Sequence, residues 1–201
     1  MIEHILRRIG FGAAPGDVEA LAEFSPIAAV NHLLFYERQP ADVDTKIGNP
    51  DYVGITTRGQ FSPDTVVNDA RQRWLFRMIH SQRPLEEKMA LFWHNHFATA
   101  YTKVAGAFGS VHGAKLMDAD PGNFGGAFKG QIQLFREFAT GNFRDLLIEV
   151  AKDPAMIVWL DGRTNLKAKP QENFGREVME LFTMGLGNYT EQDVYAVARL
   201  A

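Results

Sequence analysis

The sequence predicts an all-α protein: a single, irregular multi-helix domain. Apolar residues recur at spacings of three and four along most of the chain, whereas alternation with period two is scarcely visible. The 201 residues, of which 46% are hydrophobic, suffice for one domain with a substantial core. We find no internal repeat and no change of composition that marks a boundary. We therefore expect residues 1–201 to form one helical domain.

Local signals place the ends of the helices. Serine followed by proline suits a helix N-cap and first turn, because the N–H that proline lacks has no partner there. Asn142 after Gly141, and the Thr190–Asp193 capping box, are further start signals. Four helices are predicted to begin near Pro15, at Ser25-Pro26, at Ser62-Pro63-Asp64 and at Pro84. Two further helices are predicted over 131–140 and 143–152. The last two run from Pro170 to Gly185 and from Thr190 onward.

Two stretches break the helical pattern. Residues 40–61 are punctuated by Pro, Gly, Asp and Asn, and residues 105–130 contain seven glycines and one weak helical turn around 114–117. We expect two long loops there. The last helix keeps an apolar face up to Ala201 without a cap, which we interpret as a chain truncated at its C-terminus.

Composition excludes several classes of function. A net charge of −3 without a basic stripe argues against nucleic-acid binding. The absence of cysteine excludes disulfides, thiolate metal sites and a cysteine nucleophile. No apolar run approaches the ~20 residues that span a bilayer. Residues 1–10 are too charged for the apolar region of a secretory signal, and the sequence leaves the localisation open.

The segment LFWHNHFAT, residues 91–99, holds two histidines in an aromatic run. At about 100° per residue, His94 and His96 point to nearly opposite sides of a helix and do not readily share a metal ion. They could converge only if the helix ended at His94. Two interpretations stay open: each ring is a buried group paired with a carbonyl or carboxylate, or the pair has a metal-binding or catalytic role.

The segment PQENFGREVMELFTMG, residues 170–185, carries a polar stripe of Asn173, Arg176, Glu177 and Glu180. One interpretation is a solvent-facing helix in which Arg176 pairs with Glu180 at i+4. The other turns the glutamates toward the histidines, with His94, His96 and Glu177 as metal ligands. Glu177 and Glu180 would then supply an acid and a base, and Arg176 would hold an anionic group. Gly175 would permit close packing or the approach of a ligand.

Four blocks together carry a family resemblance: LRRIGFG, KMALFWHNHFAT, GNFRDLLIEVAKDPAMIVWLDG and PQENFGREVMELFTMGLGNYTEQDVYAVAR. In this order they resemble the N-terminal part of the bacterial domain-of-unknown-function 1800 family. The resemblance implies a mainly helical fold, frequent export signals, and genes that neighbour those of the domain-of-unknown-function 1501 family. The family's recurrent polar residues correspond to His94, Asn95, His96, Asp161, Glu172, Asn173, Arg176, Glu177 and Glu180.

Two hypotheses of function follow. The first is a non-catalytic partner or assembly factor of a neighbouring envelope enzyme, with a domain-of-unknown-function 1501 protein as the expected partner. The second is a metal-dependent, hydrolase-like enzyme, with a divalent metal as cofactor at a His/Glu centre. We favour the first, because the sequence contains no recognised reaction motif.

Overall fold

A computed structural model describes residues 1–56, 58–124, 129–166 and 168–200. Within these ranges the chain is helical and has no strand, so the all-α prediction is confirmed; the isolated bridge between Leu166 and Lys169 extends no further. The helices are α1 Ile2–Ile9, α2 Asp17–Ala22, α3 Pro26–Leu34, α4 Val67–His80, α5 Pro84–Phe97, α6 Tyr101–Phe108, α7 Ser110–Asp118, α8 Gln131–Glu137, α9 Phe143–Lys152, α10 Pro154–Trp159, α11 Asn173–Glu177, a π-helical continuation Val178–Thr183, and α12 Glu191–Leu200.

Three predicted caps are formed as expected. The Ser25 hydroxyl accepts the N–H of Ala28 at the start of α3, and the Asn142 side chain accepts the N–H of Arg144 at the start of α9. At the start of α12, the Asp193 carboxylate accepts the N–H of Thr190 at 2.8 Å, and the Thr190 hydroxyl accepts the N–H of Asp193 at 3.4 Å. Each bond supplies a partner to an N–H that the first helical turn leaves unpaired.

Two predicted helix starts are wrong. Helix α4 begins at Val67, and the segment from Ser62 forms a turn instead. The reason is that Asp64 turns away from the helix and accepts bonds from Arg73 at 3.3 Å and from the backbone of Asp120 at 3.0 Å. Likewise, the helix expected from Pro170 begins at Asn173.

The predicted loop at 105–130 is also wrong over its first half, where the second half of α6 and the whole of α7 lie. These helices pack so closely that a Cβ on Gly113 would lie 2.7 Å from the Cβ of Ala105. Gly109, at φ +86°, makes the turn between them. Glycine here serves helix packing and turning. Residues 125–128 of the predicted loop lie outside the described residues, whereas the described part of 40–61 has no α-helix, as predicted.

The main core lies between α5, α8, α9, α10 and the π-helical segment. Its fully buried centre comprises Ala90, Phe97, Phe135, Leu146 and Met156. A smaller cluster joins α1, α2 and α3. None of the described helices has the length and the apolar character required to cross a membrane.

Candidate functional site

The two histidines of α5 point in different directions. The helix continues to Phe97 and is ended by Ala98, which adopts a left-handed conformation at φ 44°. The condition under which both rings could converge, a helix ending at His94, is therefore not met. His94 and His96 lie in two separate environments.

His96 packs within an aromatic surface. Its Nε2 lies 3.3 Å from the carbonyl oxygen of Phe182, which is the kind of backbone partner that the structural interpretation requires. Its ring lies 6.4 Å from that of Phe92 and 6.2 Å from that of Phe143, measured between centroids. Phe92 and Phe143 are 52% and 39% exposed, so this histidine contributes to a partly solvent-exposed apolar face.

His94 lies against other aromatic rings. Its ring centroid is 5.5 Å from that of Trp74 and 6.4 Å from that of Phe135. Its Nδ1 is buried and has no hydrogen-bond partner. Burial lowers the pKa of His94, because a desolvated imidazolium is disfavoured. Burial therefore favours the neutral ring, and Nδ1 lacks the polar partner expected of a buried histidine.

His94 faces a cavity of about 330 Å³ formed by helices α4 to α8. Thr99, which is only 4% exposed, lines the same cavity, and its hydroxyl has no partner. The indole Nε1 of Trp74 is a third buried polar atom without a partner there. Each unpaired buried group costs about 1–3 kcal/mol. The lining comprises Val67, Ala70, Arg71, Trp74, His94, Thr99, Ala100, Tyr101, Thr102, Met117, Asp118 and Ile132.

A buried ion-pair cluster connects the helices around this cavity; we define it as Arg73, Arg77, Glu87, Asp118 and Arg136. Glu87 has no exposed surface and accepts from Arg77 Nε at 2.6 Å and from Arg136 Nε at 3.0 Å. Asp118 lies 2.9 Å from Arg73 Nη2 and 3.5 Å from Arg136 Nη1. The cluster thus joins α4, α5, α7 and α8.

Our sequence reasoning missed both the cavity and the ion-pair cluster. One signal was available on α4: Arg73 and Arg77 are four residues apart on the face that also carries Ala70 and Trp74. Two arginines within an apolar face require buried acidic partners. The sequence does not show which acids these are, since the partners lie as far away as Asp118.

The helix formed by Asn173–Glu177 and its π-helical continuation Val178–Thr183, which we call the acidic helix, has different contacts from those predicted. Arg176 binds Glu172 at 3.1 Å and Glu191 at 2.8 Å, so its predicted pairing with Glu180 is wrong. The helix widens to π geometry after Glu177, which changes the register of the next turn. Glu180 instead accepts the hydroxyl of Tyr189 at 2.5 Å.

The pKa of Glu177 is raised, but Glu177 forms no hydrogen bond or ion pair with a histidine among the described residues. Partial burial and the neighbouring Glu180 raise the pKa of Glu177. Among the residues that the structure describes, no three His, Asp or Glu side chains are grouped so that they could hold a metal ion. The assignment of His94, His96 and Glu177 as metal ligands, and of Glu177, Glu180 and Arg176 as catalytic residues, stays a prediction.

Gly175 and Asp161 position the neighbouring elements. A Cβ on Gly175 would lie 3.1 Å from Val197 Cγ1, so this glycine permits close packing of α11 on α12. Asp161 binds Lys103 of α6 at 2.9 Å and accepts from Asn173 of α11 at 3.0 Å. Asp161 therefore connects α6, whose first turn lines the cavity, to the acidic helix.

No curated protein and no solved structure matches this chain. A family model does match: the one described as protein of unknown function (DUF1800) aligns with residues 4–201, which is nearly the whole chain. This match confirms the resemblance carried by the four sequence blocks, and the chain belongs to the DUF1800 family.

Proposed function

We propose that this protein binds a small molecule in the cavity beside His94. The observation that supports the proposal is a cavity whose lining includes three residues with an unpaired buried polar atom: Trp74, His94 and Thr99. More than about 90% of buried polar groups in native proteins have a partner. A ligand toward which one of these side chains rotates would supply the missing hydrogen bond and offset part of the free energy that the unpaired group costs.

The dimensions and lining of the cavity also support binding. Its volume of about 330 Å³ lies within the roughly 300–1,000 Å³ of small-molecule sites. The side chains of Val67, Ala70, Met117 and Ile132 supply apolar surface, and a few polar groups lie among them. The buried ion-pair cluster fixes the helices that carry these side chains, which keeps a binding site organised before the ligand arrives.

The proposal concerns binding rather than catalysis. A catalytic histidine is usually oriented by a carboxylate or carbonyl on its second nitrogen. His94 contacts the rings of Trp74 and Phe135 and has no such partner among the described residues.

Nuclear magnetic resonance of the indole N–H groups tests the proposal. A library of small fragments is added to ¹⁵N-labelled protein, and the Trp74 indole signal, assigned with Trp74→Phe, is expected to shift with a subset of them. The Trp93 indole, which donates to the Ala139 carbonyl at 3.0 Å, serves as the internal reference.

Two matched variants locate the binding. Thr102 is exposed and lines the cavity, so Thr102→Trp is expected to block the entrance and abolish the shift. Val111 is 46% exposed on α7 and does not line the cavity, so Val111→Trp is expected to leave binding unchanged. A library that never moves the Trp74 signal, or binding that survives Thr102→Trp, would contradict the proposal.

A second candidate function is that of a protein partner, and the exposed aromatic face of α5 favours it. Phe92, Phe143 and Leu181 are 52%, 39% and 61% exposed, and His96 contacts both phenylalanine rings. Exposed apolar patches of this kind are common at interaction sites. The family resemblance implies a partner of the domain-of-unknown-function 1501 family, whose genes often neighbour those of this family.

Co-expression with that neighbouring protein tests the second candidate. We expect the two chains to co-purify, and Phe92→Ala/Phe143→Ala to disrupt the complex. Leu75→Ala/Ile79→Ala, which removes comparable exposed apolar surface from α4, is the control and should leave the complex intact. Failure of the two chains to associate, or equal effects of both double variants, would count against the partner role.

A further inference from the structure

Helix α3 is apolar on the side that faces away from the protein as well as on the side that faces inward. Its nine residues are apolar except Asn31 and His32. The inner side packs on α1 and α2 through Ala29 and Leu33, which are both buried. A helix that is apolar all round is normally covered on all sides. The outer side of α3 therefore has the composition of an interface.

The outer side of α3 carries exposed apolar side chains around a central asparagine; we define the α3 stripe as Phe24, Ile27, Asn31, Leu34 and Phe35. The four apolar members are 43%, 75%, 44% and 46% exposed, in chain order, and Asn31 is exposed as well. At about 100° per residue, Ile27 and Phe35, four positions before and after Asn31, lie about 40° to either side of it. The stripe is thus nearly symmetric about Asn31 and can pack against itself in antiparallel orientation.

The two ends of the α3 stripe carry opposite charges. Glu23 lies at the end of α2 just before the stripe, and Arg38 follows it, with its guanidinium 4.7 Å from the centroid of the Phe35 ring. Both side chains are exposed, and neither forms an ion pair with any described residue. Glu23 precedes Asn31 by eight positions and Arg38 follows it by seven. In an antiparallel pair centred on Asn31, Glu23 of each copy therefore lies opposite Arg38 of the other.

We propose that the outer side of α3 is a homodimer interface, in which the α3 stripes of two copies pack antiparallel about a two-fold axis at Asn31. The charges favour a second copy over an unrelated protein, because a two-fold axis pairs both ends of both copies at once. Ile27 of each copy then packs on Phe35 of the other, and the two Asn31 amides hydrogen-bond across the axis. A single asparagine within an apolar helix contact fixes the register of such a pair.

The size of the α3 stripe predicts a reversible dimer. Four apolar side chains of this size and exposure present roughly 400 Å² of apolar surface per copy. Isolated apolar patches of about this area on a monomer are often functional. Two such patches together stay below the roughly 1,200 Å² at which stable complexes begin. We therefore expect a monomer–dimer equilibrium with a Kd on the order of 10 μM, as for transient complexes.

Sedimentation velocity of the full chain over a range of concentrations measures the association. The average mass should rise toward that of a dimer with concentration, and Ile27→Asp should keep the protein monomeric. Ile27 is highly exposed, so this substitution should leave the monomer folded. Leu75→Asp, at an exposed position on α4, is the matched control and should still dimerise. A monomer at all concentrations, or equal effects of both substitutions, would overturn the proposal and assign the α3 stripe to a different protein.

Exchanging the charges tests the antiparallel arrangement. Glu23→Arg and Arg38→Glu each place like charges at both ends of the symmetric pair, and each should weaken dimerisation about tenfold at low salt. An equimolar mixture of the two variants again places opposite charges at both ends, so heterodimers should form with nearly the wild-type affinity. Arg144→Glu, which makes the same change of charge on α9, should dimerise like the wild-type chain. A mixture that associates no better than either variant alone would contradict the arrangement.

Cross-linking locates the two-fold axis. The chain contains no cysteine, so Asn31→Cys introduces a single thiol where the two copies meet. With helix axes about 8–10 Å apart and Cα atoms about 2.3 Å from each axis, the two Cα atoms lie within reach of a disulfide. Mild oxidation should therefore link Asn31→Cys into a covalent dimer much faster than Asn68→Cys, an exposed position on α4. Equal rates of cross-linking at the two positions would overturn the placement of the axis.

Discussion

Neutralising Glu87 is the sharpest test of the buried ion-pair cluster. Glu87 has no exposed surface and receives hydrogen bonds from Arg77 Nε at 2.6 Å and from Arg136 Nε at 3.0 Å. Burial disfavours its charge, but Arg136 and Arg77 outweigh that effect and lower the pKa of Glu87. Glu87→Gln keeps the shape of the side chain, removes the charge and leaves two buried guanidinium groups without their shared partner.

The expected loss of stability is large. Removing one member of a buried ion pair costs about 3–5 kcal/mol, since the remaining charge stays desolvated. Domains are stable by only about 5–15 kcal/mol. At roughly 2–4 °C per kcal/mol for a chain of this size, the midpoint of thermal unfolding should fall by about 6–20 °C. The variant is therefore to be expressed at low temperature, where the remaining stability is sufficient for folding.

Urea unfolding followed by circular dichroism measures this effect. Glu149→Gln is the matched control: Glu149 pairs with Lys152 at 2.7 Å on the surface of α9, and an exposed pair contributes about 0–1 kcal/mol. Equal free energies of unfolding for the two variants would refute the reasoning. The contribution of Glu87 is present above its unfolded pKa of about 4.3 and is lost as pH falls through its lower folded pKa. The difference between wild type and Glu87→Gln should therefore narrow on acidification.

Three further predictions concern stability. Burial raises the pKa of Asp153 to about 6, above the unfolded value of about 3.9. Because the folded state holds this proton more tightly, the free energy of unfolding should fall as pH rises from about 4 to 6. Asp153→Asn should flatten that pH dependence, as measured by urea unfolding at a series of pH values. Gly113→Ala would place a Cβ 2.7 Å from Ala105 and should cost about 1–3 kcal/mol, measured by thermal unfolding. Thr99→Val removes an unpaired buried hydroxyl and should stabilise the empty protein by about 1 kcal/mol, whereas Thr164→Val, whose hydroxyl is bonded to Asp161, should not.

Helix ends with local causes could be predicted from the sequence. Ser25, Asn142 and Thr190 cap their helices through N–H groups no more than three residues away, so the residues that decide the structure are adjacent in the sequence. The start of α4 could not be predicted this way. Asp64 looks like a cap residue, but its carboxylate is bound by Arg73 and by the backbone of Asp120, 56 residues away. Long-range polar contacts therefore override the local signal.

The candidate site could be predicted only in part. His94 was identified because a histidine within an aromatic run is unusual, and it does line the cavity. The other walls come from α4, α6, α7 and α8, and the second half of α6 and all of α7 lie in a glycine-rich stretch that suggested a loop. Glycines such as Gly113 and Gly109 are expected both in a closely packed helix pair and in a flexible loop. The sequence alone does not distinguish these two structures. The sequence also contains no residue pattern from which the π turn after Glu177 could be predicted.

The buried polar groups of this protein fall into two kinds, and the contrast bears on the cavity. Asp44, Gln131 and Arg136 each have one buried atom without a partner while another atom of the same group is bonded, and Gln133, which does not line the cavity, also has an unpaired Nε2. Around the cavity, by contrast, the Trp74 indole and the Thr99 hydroxyl are the sole polar atoms of their side chains, and both are unpaired. A chain that pairs five charged side chains in its interior is able to satisfy an indole and a hydroxyl. The unpaired indole and hydroxyl beside this cavity are part of our argument for proposing a ligand there, and the Trp74 indole resonance is the measurement that tests it.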